Sequence, residues 1–217
     1  MQRGFTWLFD LDNTLHNASP HIFPHINRSM TAYMSEHLRL SDAEAGELRS
    51  HYWRSYGATL LGLLRHHDTD PNHFLWHTHQ FPDLARMLVS EAGLRHALRR
   101  LRGRKILFSN APTHYAEAVL ELLNIGDLFD AVYSVERVRF QPKPQSGGFR
   151  HILQREGLVA NRCVMVEDSL PNLRAAKRLG MKTVWVTRDT RHPACVDLKT
   201  ATVLRLPRMT AKLGFIG

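Results

Sequence analysis

Five short apolar runs rich in β-forming residues recur along this chain, at Phe5 to Phe9, Ile106 to Phe108, Ala131 to Val135, Cys163 to Val166 and Thr183 to Val186, with helical segments between them. This alternation is the strongest constraint on the fold. A strand that is to lie parallel to the one before it must return across a face of the sheet, and a helix makes that crossing. Tyr115 to Asn124 carries apolar residues at helical spacing, and Leu173 to Leu179 ends at Gly180, a residue suited to the left-handed position that closes a helix. The pattern predicts an α/β fold, a doubly wound parallel sheet whose ligands sit outside the carboxyl ends of the strands.

The alternation breaks once. From about Asn17 to Leu88 only helical patterns separated by turn signals are visible, so the expected division is a core of residues 1–16 and 89–217 and an α-helical insert of residues 17–88. Ser41-Asp42-Ala43-Glu44 has the form of a capping box, and Asp70-Pro71 that of an N-cap followed by proline at the first helical position. The insert has six Arg, no Lys and seven acidic residues, whereas the whole chain has 29 Lys plus Arg against 20 Asp plus Glu, a net +9. Twenty-three of those cations are Arg scattered along the chain, which reads as background composition and predicts no specific nucleic-acid partner.

A chain of 217 residues, 43% hydrophobic and 23% charged, buries enough surface to fold on its own core and is excluded from disordered, collagen-like and disulfide-scaffold classes. Cys163 and Cys195 lie too far apart in sequence to form a metal clip, and Cys163 sits in an apolar run, so a reducing cytoplasm is the expected compartment. The run Phe5 to Phe9 is broken at once by Asp10 and Asp12 and predicts no signal peptide. No apolar stretch approaches the roughly 20 residues of a membrane span, so no membrane partner is expected.

The first run leads straight into Asp10-Leu11-Asp12-Asn13-Thr14-Leu15, placing two carboxylates two residues apart at a strand end, and strand periodicity predicts that both point the same way. Close anions repel and call for a cation or a proton, and a hard ion such as Mg²⁺ suits that position. Three later segments return to the same edge. Ser109-Asn110 offers a hydroxyl and backbone N–H groups to phosphoryl oxygens. Gln141-Pro142-Lys143-Pro144 stiffens the backbone around a compact cation, and Val164-Met165-Val166 delivers the carboxylates of Glu167-Asp168.

In these four segments, in this order, the sequence resembles the haloacid dehalogenase superfamily of aspartate-nucleophile hydrolases, over nearly the whole chain. The resemblance implies a Rossmann-like core with a helical cap. It implies that Asp10 attacks phosphorus to form an aspartyl phosphate, and that Asp12 protonates the leaving oxygen and then activates water. It further implies Mg²⁺ on Asp10, the backbone carbonyl of Asp12 and Asp168, with Glu167 outside or bridged by water. Ser109, Asn110 and Lys143 would hold the transferring group, with Ser109 and Lys143 neutralising its charge. The second aspartate, Asp12, indicates phosphate chemistry within the superfamily, whose dehalogenases lack it.

Within the insert, Tyr52 to Leu63 followed by Arg65-His66-His67 contains Tyr-Gly-x-Thr-x-x-Gly-Leu and resembles the cap of the pyrimidine 5′-nucleotidase branch, as do Asp127 to Asp130 and Glu167 to Met181. That implies a pyrimidine nucleoside 5′-monophosphate as the small phosphorylated substrate, with Tyr56, Thr59 and His66 as its contacts. Tyr52, Tyr56, Leu60 and Leu63 also fall at helical spacing, which equally fits packing inside the insert. His16 stands where that branch has an aromatic residue, and Gly147-Gly148 is expected to weaken the helix after Lys143. His73 and His77 share a helix face, but no cysteine or carboxylate spacing completes a zinc site. The alternatives are a sugar-phosphate or phosphoglycolate phosphatase or a mutase of the same fold, and, outside enzymes, a basic nucleic-acid-binding protein on a degenerate hydrolase scaffold.

Overall fold

The structure is a computed structural model that describes residues 5–210. The elements run β1 (Thr6–Phe9), α1 (Ile22–Leu38), α2 (Asp42–Tyr56), α3 (Thr59–His66), α4 (Pro71–Thr78), α5 (Leu84–Met87), α6 (Leu94–Arg100), β2 (Arg104–Phe108), α7 (Thr113–Leu122), β3 (Ala131–Tyr133), α8 (Ser146–Arg155), β4 (Cys163–Glu167), α9 (Leu170–Arg178), β5 (Lys182–Val186), β6 (Leu198–Thr200) and α10 (Leu206–Met209). They divide into two compact units, residues 18–88 and the remainder.

In the larger unit all six strands pair in parallel in the order β3-β2-β1-β4-β5-β6, so β1 lies near the middle and the chain winds outward on both sides of it. Both faces of the central strands are covered, which is why they read as continuous apolar runs. Leu8, Ile106, Phe108 and Met165 are packed with Phe149 and Ile152 of α8 and Leu173 and Ala176 of α9. Phe9, Leu107, Val164 and Val166, the residues alternating with them, are equally inaccessible. Gly180, with φ +89°, closes α9 in the left-handed region.

β6 was not foreseen. It is a three-residue edge strand with one neighbour, and its middle residue, Lys199, reaches out to donate to the carbonyls of Asp189, Thr190 and Arg191. So short a Leu-Lys-Thr segment carries no apolar run to read. The glycine pair also behaves differently from the expectation of a weakened helix. α8 starts at Ser146 and includes both glycines, and a Cβ on Gly148 would collide with the backbone carbonyl oxygen of Gln141 and press on the Phe108 ring. The pair therefore trades helix propensity for close approach to the segment that carries Lys143.

The smaller unit is built from α1 to α5, with Ile22, Met34, Leu63 and Phe74 fully buried. Ser41 forms the capping box, its backbone N–H donating to Glu44 Oε2 at 2.9 Å and its Oγ accepting from the Glu44 N–H at 3.4 Å. Asp70 Oδ1 accepts from the Asn72 N–H at 2.9 Å at the start of α4. Gly57, with φ +83°, ends α2, and Gly62 has no room for a side chain because the Tyr52 ring lies on it.

Gly148→Ala is expected to destabilise the protein by about 1–3 kcal/mol, as overpacking against backbone does. Urea unfolding of the variant and of Gly157→Ala, where a Cβ meets nothing within 4 Å but φ is +62°, separates that collision from the strain of a positive φ alone.

Candidate active site

The register of the sheet brings the three functional loops to one level. Phe9 pairs with Leu107 on one side and Val166 on the other, so β1, β2 and β4 release their next residues at the same edge. The Asp10 N–H still donates to the Val166 carbonyl at 3.0 Å, which seats Asp10 beside Glu167. Ser109 leaves β2 with its N–H on the Tyr133 carbonyl and its Oγ accepting from the Ala111 N–H at 3.0 Å.

Lys143 enters this edge from the loop before α8. The Asn110 side chain fixes it there, accepting from the Lys143 N–H at 2.8 Å and donating to the Lys143 carbonyl at 2.9 Å. Lys143 Nζ then donates to Asp10 Oδ1 at 2.6 Å and Glu167 Oε2 at 2.8 Å, and lies 5.2 Å from the Phe108 ring centroid. Lys143 and Glu167 are each 1% exposed and Asp10 7%. Glu167 is further tied by the N–H groups of Asp168 and Ser169 on Oε1 and by Asn172 Nδ2 on Oε2. Asp10 Oδ2 accepts from Thr14 Oγ1 at 3.1 Å, and the Asp168 carbonyl accepts from Trp185 Nε1 at 2.8 Å.

One ammonium cannot neutralise three neighbouring carboxylates. Burial, reinforced by Glu167, pushes Asp10 up to about 7 against the pull of Lys143. Burial likewise pushes Glu167 up to about 7, again against Lys143, and raises Asp168, with Asp10 adding to the effect. Burial alone would lower Lys143, but Asp10 and Glu167 outweigh it and keep the ammonium charged. Oxygens of Asp10, Glu167 and Asp168 lie within 4.8 Å of one another, a hard, all-oxygen donor set that fits a divalent cation such as Mg²⁺. Glu167 already holds four hydrogen-bond donors, so Asp10 and Asp168 are the carboxylates better placed for direct coordination.

Asp12 lies just beyond the strand, still close enough to Asp10 to add to the rise of its carboxyl. β1 ends at Phe9 and the chain turns, with the N–H groups of Thr14 and Leu15 on the Leu11 carbonyl and Asn13 at φ 61°, so strand alternation stops before Asp12. Its Oδ1 accepts from Tyr115 Oη at 2.6 Å and lies 3.0 Å from His16 Nε2. Sequence reasoning missed Tyr115, which read only as an apolar position of a helix. Its place at the start of α7, directly after β2, was the available signal, because helices that follow strands of such a sheet begin at the ligand edge. Thr14 and Asn172 were missed as well, being polar residues without a distinctive pattern.

The insert residues stand in the other unit. Tyr56 Oη and His66 Nε2 share a 2.6 Å hydrogen bond, and the Arg65 guanidinium lies 5.6 Å from the Tyr56 ring centroid. Thr59 is not with them: it is buried at the start of α3 and donates to the Arg49 carbonyl at 3.3 Å. His73 and His77 are 4.2 Å apart between ring centroids, and His73 Nδ1 is hydrogen-bonded to Tyr33 Oη at 2.9 Å.

A haloacid dehalogenase-like hydrolase family model matches residues 6–180, a span that takes in Asp10, Asp12, Ser109, Lys143, Glu167 and Asp168. The chain belongs to this family of hydrolases. Phosphate metabolism protein 8 of Saccharomyces cerevisiae is 27% identical to this hydrolase over 192 residues, 81% of the chain and 59% of that protein. The chain thus spans under two thirds of that relative's length. A phosphoglycolate phosphatase of Pseudomonas putida is 24% identical over 210 residues, 91% of the chain and 74% of that protein. The crystal structure of a HAD phosphatase from Thermococcus onnurineus has the same fold, with a TM-score of 0.68 and 24% identity, over 96% of this chain and 98% of that one.

Because Asp10 and Glu167 are pushed up to about 7, their protons compete with a metal ion below that pH. For an acid raised on folding, the native state takes up protons between its unfolded value near 4 and its folded value near 7, so these groups destabilise the metal-free protein as pH rises through 7. The rise in melting temperature on adding Mg²⁺ is therefore expected to be larger at pH 8 than at pH 6, and to shrink at pH 8 in Asp168→Asn. Thermal melts with Mg²⁺ and with EDTA at both pH values check this.

Proposed function

We propose that this hydrolase is a Mg²⁺-dependent phosphomonoesterase that works through an aspartyl phosphate on Asp10. The observation that carries the reading is the Lys143 ammonium on Asp10 Oδ1, buried at the strand edge that also presents Ser109. In this reading an Asp10 oxygen attacks phosphorus, the bond from phosphorus to the leaving oxygen breaks, and Asp12 gives that oxygen a proton. Water then attacks phosphorus, its proton goes to Asp12, and the bond to Asp10 breaks. Lys143 and the Ser109 hydroxyl hold phosphoryl oxygens, while Asn110 acts by fixing the Lys143 backbone. Mg²⁺ on Asp10, Asp168 and the Asp12 carbonyl would neutralise charge on the phosphoryl group.

The proposed substrate is a pyrimidine nucleoside 5′-monophosphate, recognised by the helical unit. The hydrogen-bonded pair of Tyr56 and the exposed His66 supports this, since an aromatic face can stack on a base and an imidazole can bond its edge or the ribose. A second reading, a phosphoglycolate or sugar-phosphate phosphatase, is supported by the relative from Pseudomonas putida. The cytoplasm is the proposed compartment: both cysteines are free, and burial pushes the Cys163 thiol up to about 11. No helix among the described residues is long and apolar enough to cross a membrane.

A phosphate-release panel of nucleotides, sugar phosphates and 2-phosphoglycolate, each with Mg²⁺ and with EDTA, tests the proposal. Mg²⁺-dependent turnover led by UMP or CMP is expected. Faster turnover of 2-phosphoglycolate would replace the substrate by the second reading, and no release from any member would overturn the phosphatase. On the favoured nucleotide, Tyr56→Ala and His66→Ala should each lower kcat/KM about tenfold, the loss of roughly 1.4 kcal/mol of transition-state binding, with p-nitrophenyl phosphate little affected. Thr59→Ala should instead lower the melting temperature and leave the ratio between the two substrates unchanged.

A further inference from the structure

Asp12 is held from two sides by groups that neither the sequence motifs nor the proposed reaction accounts for. Tyr115 is 1% exposed, and its Oη donates to Asp12 Oδ1 at 2.6 Å. His16 is 4% exposed, and its Nε2 lies 3.0 Å from the same Oδ1 and 3.4 Å from Tyr115 Oη. The His16 Nδ1 is buried without a hydrogen-bond partner. An imidazole nitrogen that faces a carboxylate oxygen must carry the hydrogen there, since two lone pairs would repel. A phenol hydroxyl 2.6 Å from a carboxylate oxygen, which has no hydrogen to give, is the donor of that bond. Asp12 Oδ1 therefore receives two N–H or O–H donors, one from the loop after β1 and one from α7.

We propose that Tyr115 and His16 are positioning residues for Asp12, holding its Oδ1 as a fixed acceptor and so leaving Oδ2 as the atom that carries the proton. An oxygen that accepts two hydrogen bonds is the less basic of the pair, so the proton of the acid form sits on Oδ2. When the leaving oxygen departs, the Oδ2–H bond breaks and that proton moves to it. When water attacks, Oδ2 takes the proton back. Asp12 lies on a turn rather than on β1, so without these donors its carboxylate is free to rotate and the two oxygens exchange roles. This inference rests on the phosphomonoesterase reading, and specifically on Asp12 as its acid and base.

Leaving groups distinguish positioning from packing. An alkyl phosphate expels a strongly basic oxygen that needs a proton, whereas p-nitrophenyl phosphate expels one that does not. With enzyme in excess over substrate, Tyr115→Phe is expected to slow cleavage of a nucleoside 5′-monophosphate at least tenfold while slowing p-nitrophenolate release less than threefold, and in separate steady-state assays KM for the nucleotide should be unchanged. His16→Ala should behave the same way, and His16→Gln, whose amide can restore a donor, should recover most of the loss. Nitrogen-15 NMR of the wild type should show His16 carrying a hydrogen on Nε2. Equal losses on both substrates with a lowered melting temperature, or a hydrogen on Nδ1 in place of Nε2, would overturn the assignment while the phosphatase stands. A wild type that cleaves neither substrate would overturn the phosphatase reading and this assignment with it.

Discussion

The Lys143 ammonium sits almost sealed from water between Asp10 and Glu167, 2.6 and 2.8 Å away, and the surrounding structure is arranged to deliver it there. Asn110 grips its backbone on both sides, Gly148 lets the preceding segment approach, and Phe108 forms the wall beneath it. Deleting one partner of a buried ion pair typically costs about 3–5 kcal/mol, because the other charge is left without compensation. Here the balance is short even with the lysine present. Asp10, Glu167 and Asp168 are all raised by burial. That shortage of positive charge is what makes the edge receptive to a divalent cation, and it ties stability, metal affinity and pH to the same three carboxylates.

Two separate networks share the loop after β1. One centres on Asp10 and serves charge, through Lys143, Thr14 and Glu167. The other centres on Asp12, through Tyr115 and His16. The turn at Leu11 to Leu15 lets two aspartates two residues from each other meet different hydrogen-bond partners, while Asp12 still adds to the charge that raises Asp10.

The sheet was legible because its strands are buried on both faces and write their presence as apolar runs, as at Cys163 to Val166. β6 was not, because a short edge strand with one neighbour needs no such run. Asp10, Ser109, Lys143 and Asp168 could be singled out because each stands next to a strand end or in a proline-flanked segment. Their contacts could not be read, since Asn110 gripping Lys143 and Tyr115 reaching Asp12 join residues 33 and 103 positions apart, beyond any periodicity. In the helical unit the repeated spacing of Tyr52, Tyr56, Leu60 and Leu63 fits packing and recognition alike. The structure places Thr59 in the first role, and leaves Tyr56 and His66 paired at the surface of that unit.

The central claim is that Asp10, charged and oriented by Lys143, is the atom donor to phosphorus. A beryllium trifluoride anion bonded to an aspartate oxygen mimics an aspartyl phosphate, so fluorine NMR of the Mg²⁺-loaded, nucleotide-free protein with beryllium and fluoride tests this without choosing a substrate. New bound-fluoride resonances are expected in the wild type, absent in Asp10→Asn and strongly weakened in Lys143→Met. Resonances that persist unchanged in Asp10→Asn would contradict it.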